Sequence, residues 1–163
     1  MQYATRFGSL DDYEKGGIEL IDDDAKRYAF SNMYEVASAA KPYEKVAVGK
    51  NMRYVLEVLR AEGTSGWRTC AHDEFALVVD GEVEVRLVKL VAPVAPAGKD
   101  GSVRIDGEPA GRSMGRVRAR RGHMTLLPAN AAYQFHADRP GVILLQTILG
   151  DDTVERWAEI CLS

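Results

Sequence analysis

The chain is poor in the residues that build disulfide frameworks, metal cages and membrane spans. Only two cysteines occur among 163 residues, Cys70 and Cys161, far apart in sequence. They suggest no disulfide framework, and a reducing, cytoplasmic setting is expected. Histidine is as scarce: His72, His123 and His136 make up the whole complement of 3. No run of 18 apolar residues exists, so no membrane-spanning helix is expected, and Met1 to Phe7 has no apolar signal-peptide core. Positive charge is not in excess. The 21 Lys and Arg against 24 Asp and Glu leave a net charge of −3, with no global field to neutralise phosphates. Nucleic acid is thereby disfavoured as the main partner.

The apolar fraction of 46% and charged fraction of 28% are those of an ordinary soluble domain, and the length suits one domain with a substantial core. Residues 1–42 read as a polar N-terminal arm, with a possible edge strand at Ile18-Glu19-Leu20-Ile21, followed by a short helix over 31–40. Asn32 or Ser31 caps that helix, Glu35 stands three after Asn32, and Met33, Val36, Ala37 and Ala40 form its apolar stripe. Pro42 ends it.

From Tyr43 the hydrophobic period becomes two. Strands are expected at Lys45–Val48 and Arg53–Leu59, with a turn over 61–66. Glu74–Val79, Asp80-Gly81 and Glu82–Leu87 together predict a hairpin, because an Asp-Gly pair supplies the positive φ values of a primed turn. A Pro/Gly-rich loop at 91–115 is long for a compact domain and holds a minor strand pair around Val103–Gly107. Arg112, Arg116, Arg118, Arg120 and Arg121 form the one basic run; shared parity of 116, 118 and 120 reads as a solvated strand face. Three further strands, Gly122–Leu127, Ala132–His136 and Val142–Leu149, are separated by turns at Pro128-Ala129-Asn130 and Asp138-Arg139-Pro140-Gly141. Asp151-Asp152-Thr153 is expected to cap a C-terminal helix over 151–163 with Val154, Trp157, Ala158 and Cys161 as its stripe. Eight to ten short strands at regular spacing predict an all-β sandwich or barrel with a short helix near each end.

Two spacings carry a family resemblance. Glu74 and Gly81 are six residues apart, after Gly66, as in the first cupin motif, G-x5-H-x-H-x(3–4)-E-x6-G. Gly122-x5-Pro128 opens the second, G-x5-P-x-G-x2-H-x3-N, with Asn130 at the second glycine. Asn tolerates the left-handed conformation that glycine provides there. Residues 43–150 thus resemble a cupin, which implies a double-stranded β-helix, or jelly-roll barrel. The ligand positions depart from the family. The motif histidines fall on Arg68 and Cys70, or Trp67 and Thr69, and the second-motif histidine falls on Tyr133. An arginine there repels a divalent cation. A substitute set, His72, Glu74 and His136, could form a 2-His-1-carboxylate site for Fe(II), although His136 has opposite parity to Tyr133. Cys70 is expected to be a small buried apolar residue rather than a nucleophile.

The run from Trp67 to Val85, with the mass of 17.9 kDa, resembles the small subunit of two-subunit hydroquinone 1,2-dioxygenases. That resemblance implies a larger cupin subunit that holds Fe(II), an α2β2 heterotetramer, and cleavage of hydroquinone by O₂ to 4-hydroxymuconic semialdehyde. It implies no catalytic residue and no metal on this chain. Trp67, beside a turn glycine at the start of the motif strand, is the candidate substrate-contacting residue, walling the partner's pocket; the alternative is a barrel-end core tryptophan. A stand-alone metal-dependent cupin enzyme and a metal-free small-ligand module remain the competing readings. The arm, the 91–115 loop and the terminal helix are candidate interface material.

Overall fold

The computed structural model describes residues 4–5, 7–14, 21–22 and 32–160. Ile18 to Leu20 of the expected edge strand, and Cys161, lie outside the described residues. Helix α1 spans Met33–Ala39 and is capped by Asn32, whose side chain accepts the Tyr34 N–H. The strands are β1 Val46–Asn51, β2 Tyr54–Thr64, β3 Trp67–Cys70, β4 Glu74–Asp80, β5 Glu82–Leu90, β6 Ser102–Ile105, β7 Gly111–Arg120, β8 Met124–Leu127 and β9 Ala131–Ile148; a short helix α2, Trp157–Ile160, follows.

The long strand β9 organises the barrel. β2 and then β3 run antiparallel along one side of it, and β4 and then β5 along the other. β1 flanks β2, β6 flanks β3, β8 flanks β4 and β7 flanks β5. The first half of β9 thus lies in a sheet ordered β6-β3-β9-β5-β7, and its second half in one ordered β1-β2-β9-β4-β8. This is the all-β, double-stranded β-helix architecture expected of the chain.

Two elements differ from their expected form for one reason. Asp80-Gly81 does not close a hairpin, since β4 pairs with β8 and β9 while β5 pairs with β7 and β9. The positive φ of Gly81, 78°, makes a corner instead. There the register slips between Val78 and Asp80, and the inward parity changes from Glu74, Ala76 and Val78 to Val83 and Val85. Opposite that corner, Asp138–Gly141 is an irregularity within β9 rather than a turn between two strands; β2 shifts register there too, between Ala61 and Gly63. The two corners touch. A Cβ on Gly141 would lie 2.6 Å from the Asp80 carbonyl oxygen, and one on Gly81 would lie 3.1 Å from the Gly141 Cα.

Further corrections are local. β2 continues through the expected turn to Thr64, with Gly63 at φ 69°. The strand at 102–105 pairs with β3, not with its own neighbour. Thr153 caps no helix: its hydroxyl accepts the Gly150 N–H and donates to Glu57 Oε1 at 2.6 Å. Asn130 does adopt the left-handed conformation, at φ 62°. The arginine run lies on β7 and its following turn, where Arg116 and Arg118 pair with Glu84, Arg120 with Glu82 and Arg121 with Asp80.

Two apolar clusters hold the fold. The barrel interior contains Leu59, Ala76, Val78, Val83, Val85, Leu127, Tyr133, Phe135, Ile143 and Leu145. The second cluster lies outside the barrel wall, where Val36 and Ala37 of α1, with Leu10 and Tyr34, cover Val46, Val58 and Val142. The Leu10 N–H donates to Asp80, and the Tyr34 hydroxyl to the Val79 carbonyl, fixing this cover to the β4 corner. Gly141→Ala is expected to destabilise the protein by about 1–3 kcal/mol, because the new methyl meets backbone rather than a movable side chain; chemical denaturation with wild-type and variant in parallel measures it.

Candidate functional site

The alternation of each strand sends a few polar side chains into an otherwise apolar barrel. Glu57 follows Val55 and precedes Leu59 on the inward parity of β2, Glu74 opens β4, and Lys45 stands just before β1. All three are buried, with Glu57 and Glu74 at 0% exposure and Lys45 at 3%. The Lys45 ammonium lies 3.3 Å from Glu57 Oε2 and 4.0 Å from Glu74 Oε2, and donates to Ser102 Oγ at 2.8 Å. Arg68, also inward, donates to the same Ser102 hydroxyl at 3.3 Å and pairs with Asp152. One lysine and one arginine thus join β2, β4, β6 and the 150–154 segment from inside.

The surroundings set the chemistry of these groups. Burial raises the Glu57 carboxyl above the usual range, against the opposing pull of Lys45 and of the Thr153 hydrogen bond. Burial, reinforced by Glu74, pushes the Cys70 thiol far up, so it is no thiolate nucleophile. Tyr133, buried with Glu74 and Cys70 beside it, is held as a neutral phenol for the same reasons.

The substitute ligand set does not come together. Glu74 points into the barrel, whereas His136 points outward, hydrogen-bonded to Thr64 and Asp138. His72 sits in the β3–β4 connection, where its Nε2 accepts the Gly101 N–H and its Nδ1 faces the Asp73 carbonyl. His123 accepts the Arg120 N–H in the β7–β8 turn. Among the described residues no three His, Cys, Asp or Glu side chains are grouped as metal ligands would be.

Trp67 begins β3 with its indole largely buried, at 9% exposure, and its N–H has no acceptor among the described residues. It lines two depressions. One, of about 620 Å³, lies at the barrel end between Lys41–Lys45, Thr64–Arg68, Arg104–Gly107, Asp152 and Val154. The other, shallower, lies between Arg86, Leu87, Val88, Ser113, Gly115 and Arg116.

Sequence reasoning missed Lys45 and Glu57. The signal was present as a charge at an inward position, Glu57 between Val55 and Leu59, and as a lysine leading directly into the apolar run Val46-Ala47-Val48. In a Cys161→Ser background, Cys70 should resist alkylation at pH 8 in the folded protein and react promptly once denaturant is added. Equal rates in both states would contradict the burial of Cys70.

No family model and no curated protein matches the chain. Solved structures do. A chain of hydroquinone 1,2-dioxygenase from Sphingomonas sp. TTNP3 with 4-hydroxybenzoate bound is 55% identical, with a TM-score of 0.94 over 99% of each chain. A chain of hydroquinone 1,2-dioxygenase PnpCD, in complex with Cd²⁺ and 4-hydroxybenzonitrile, is likewise 55% identical, with a TM-score of 0.93 over 99% of this chain and 98% of that one. A much longer chain, in the structure of the Sphingomonas sp. TTNP3 enzyme with 4-nitrophenol, shares the fold alone: 15% identity and a TM-score of 0.59 over 83% of this chain and 37% of that one. With the cupin barrel in place and identity at this level over its full length, the chain belongs to the hydroquinone 1,2-dioxygenase family, as a subunit of that enzyme's kind.

Proposed function

We propose that this chain is the small, iron-free subunit of an Fe(II)-dependent ring-cleaving dioxygenase that converts hydroquinone and O₂ to 4-hydroxymuconic semialdehyde. Its partner is a large cupin subunit, which holds the iron, in an α2β2 heterotetramer. The observation that carries the enzyme assignment is the 55% identity, over essentially the whole length, with chains of two hydroquinone 1,2-dioxygenases. Support for a larger partner comes from the longer chain of the same kind of enzyme, which repeats the fold within 37% of its length.

The donor set speaks for iron on the other subunit. Non-haem iron takes neutral imidazoles and carboxylates converging on a centre with open positions. Here the motif positions hold Arg68, Cys70 and Tyr133, and an ammonium lies between the two interior carboxylates. These residues do not fit an Fe(II) ion, and no catalytic step is assigned to them. The iron, held by the large subunit, supplies oxygen activation. This chain's contribution is to brace the large subunit and to line its pocket. Trp67 is the residue proposed for that lining: a rigid indole at the barrel end, whose N–H has no acceptor among the described residues, can cover an aromatic ring and exclude water.

A docking face supports the partner reading. Tyr54 and Leu56 of β2, Phe75 of β4, and Met124 and Leu126 of β8 are all exposed. The ladders set Leu56 and Phe75 on either side of Gln146, with Leu126 next to Phe75. The row carries no charge. Helix α1 covers the neighbouring part of the same wall and leaves this part open. On a typical monomer the largest apolar patch is about 300–600 Å² and is often functional. A stable interface takes about 800 Å² per partner, so the row suits the centre of the contact with the large subunit.

Three measurements test the reading. Metal analysis of the chain purified alone should find no stoichiometric iron, while the complex co-expressed with a large cupin subunit should carry iron and cleave hydroquinone; iron or ring cleavage on the chain alone would overturn it. Within the complex, Trp67→Ala should lower kcat/KM for hydroquinone about 10-fold or more with iron content unchanged, and Phe75→Glu with Leu126→Glu should abolish co-purification of the large subunit.

A further inference from the structure

We infer that Lys45 is the resident cation of this barrel: its ammonium, and not a metal ion, offsets the buried charge of Glu57 and Glu74. The inference rests on the iron-free reading above and supplies its physical cause.

The ammonium donates one hydrogen bond, to Ser102 Oγ at 2.8 Å, and acts on the carboxylates as an ion-pair partner, 3.3 Å from Glu57 Oε2 and 4.0 Å from Glu74 Oε2. Glu57 Oε2 and both Glu74 oxygens are buried with no hydrogen-bond partner among the described residues, so the ammonium is the charge that offsets them. Ser102, Glu57 and Glu74 come from β6, β2 and β4, strands that lie on both sides of β9. The Glu74 carboxylate belongs to the cupin motif, and Cys70 and Tyr133, at other ligand positions, are beside it. The backbone of Lys45 is fixed as well, since its carbonyl accepts the Val154 N–H.

An alternative would be that the lysine only fills space. The two roles diverge when charge is removed. Breaking a buried ion pair from one side leaves an uncompensated charge and is strongly destabilising, whereas replacing all partners with apolar groups of similar shape is close to neutral. Packing alone predicts no such recovery.

The test uses the small chain co-purified with its large subunit. Lys45→Met should lower the unfolding temperature of the small chain by about 10 °C or more, or leave it insoluble. The triple variant Lys45→Met, Glu57→Met, Glu74→Met, which removes every charge and leaves no buried amide unpaired, should recover most of that loss and be soluble. A Lys45→Met protein as stable as wild type, or a triple variant no better than Lys45→Met, would overturn the inference. Metal analysis of wild type keeps the two claims apart. Iron on the wild-type small chain removes the iron-free reading, whereas a stable, iron-free Lys45→Met chain removes only the role of the lysine.

Discussion

A charged group inside a β-barrel is tolerated only when its partners are built around it, and this fold is arranged about that constraint. Leaving an ionised carboxylate alone in an apolar interior costs many kcal/mol, so such a group is neutralised or paired. Glu57 and Glu74 have no exposure, and their cation is Lys45. Supplying it requires the chain before β1 to enter the barrel end, which the Val154 N–H and the isolated bridge between Val46 and Val154 secure. Thr153, in the same segment, then reaches Glu57. The C-terminal segment is therefore a brace on the charged interior, which is why its Asp-Asp-Thr sequence serves the barrel instead of opening a helix.

Much of the fold was legible because period-two alternation and turn residues are local signals. The inward sets of β2, β4, β5 and β9, the cap at Asn32 and the left-handed Asn130 all follow from residue chemistry within a few positions. The Asp80-Gly81 pair was misread because its conformational preference is local while its meaning is not. A positive φ at Gly81 suits either a primed turn or a corner bulge, and the choice is made by Gly141, sixty residues away, whose bare Cα lets the two backbones approach. The same holds for β6, whose partner is β3 across the loop rather than its sequence neighbour.

The site was legible in its departures and not in its replacement. Counting motif positions is enough to find Arg68, Cys70 and Tyr133 where ligands would stand. It cannot find what fills the space, because Lys45 lies outside both motifs and reaches the interior from the end of the barrel. The substitute set of His72, Glu74 and His136 assumed that proximity in sequence or strand order brings side chains together; strand parity puts His136 outside the wall and Glu74 within it.

A barrel with its interior committed in this way has its outside and its rim to offer a partner, and these are unlike one another. The row of Tyr54, Leu56, Phe75, Met124 and Leu126 on β2, β4 and β8 is exposed and apolar beside the part of the wall that α1 covers. The outer face of β5 and β7 is a lattice of arginines and glutamates that prefers water. The rim beside Trp67 combines a buried indole with Arg68, Arg104 and Asp152. Apolar burial supplies affinity without direction, whereas an indole at a polar rim supplies placement at the cost of little apolar area. The interior stays charged but compensated: the motif positions hold arginine, cysteine and tyrosine, and Lys45 is the ion-pair partner of Glu74, at 4.0 Å.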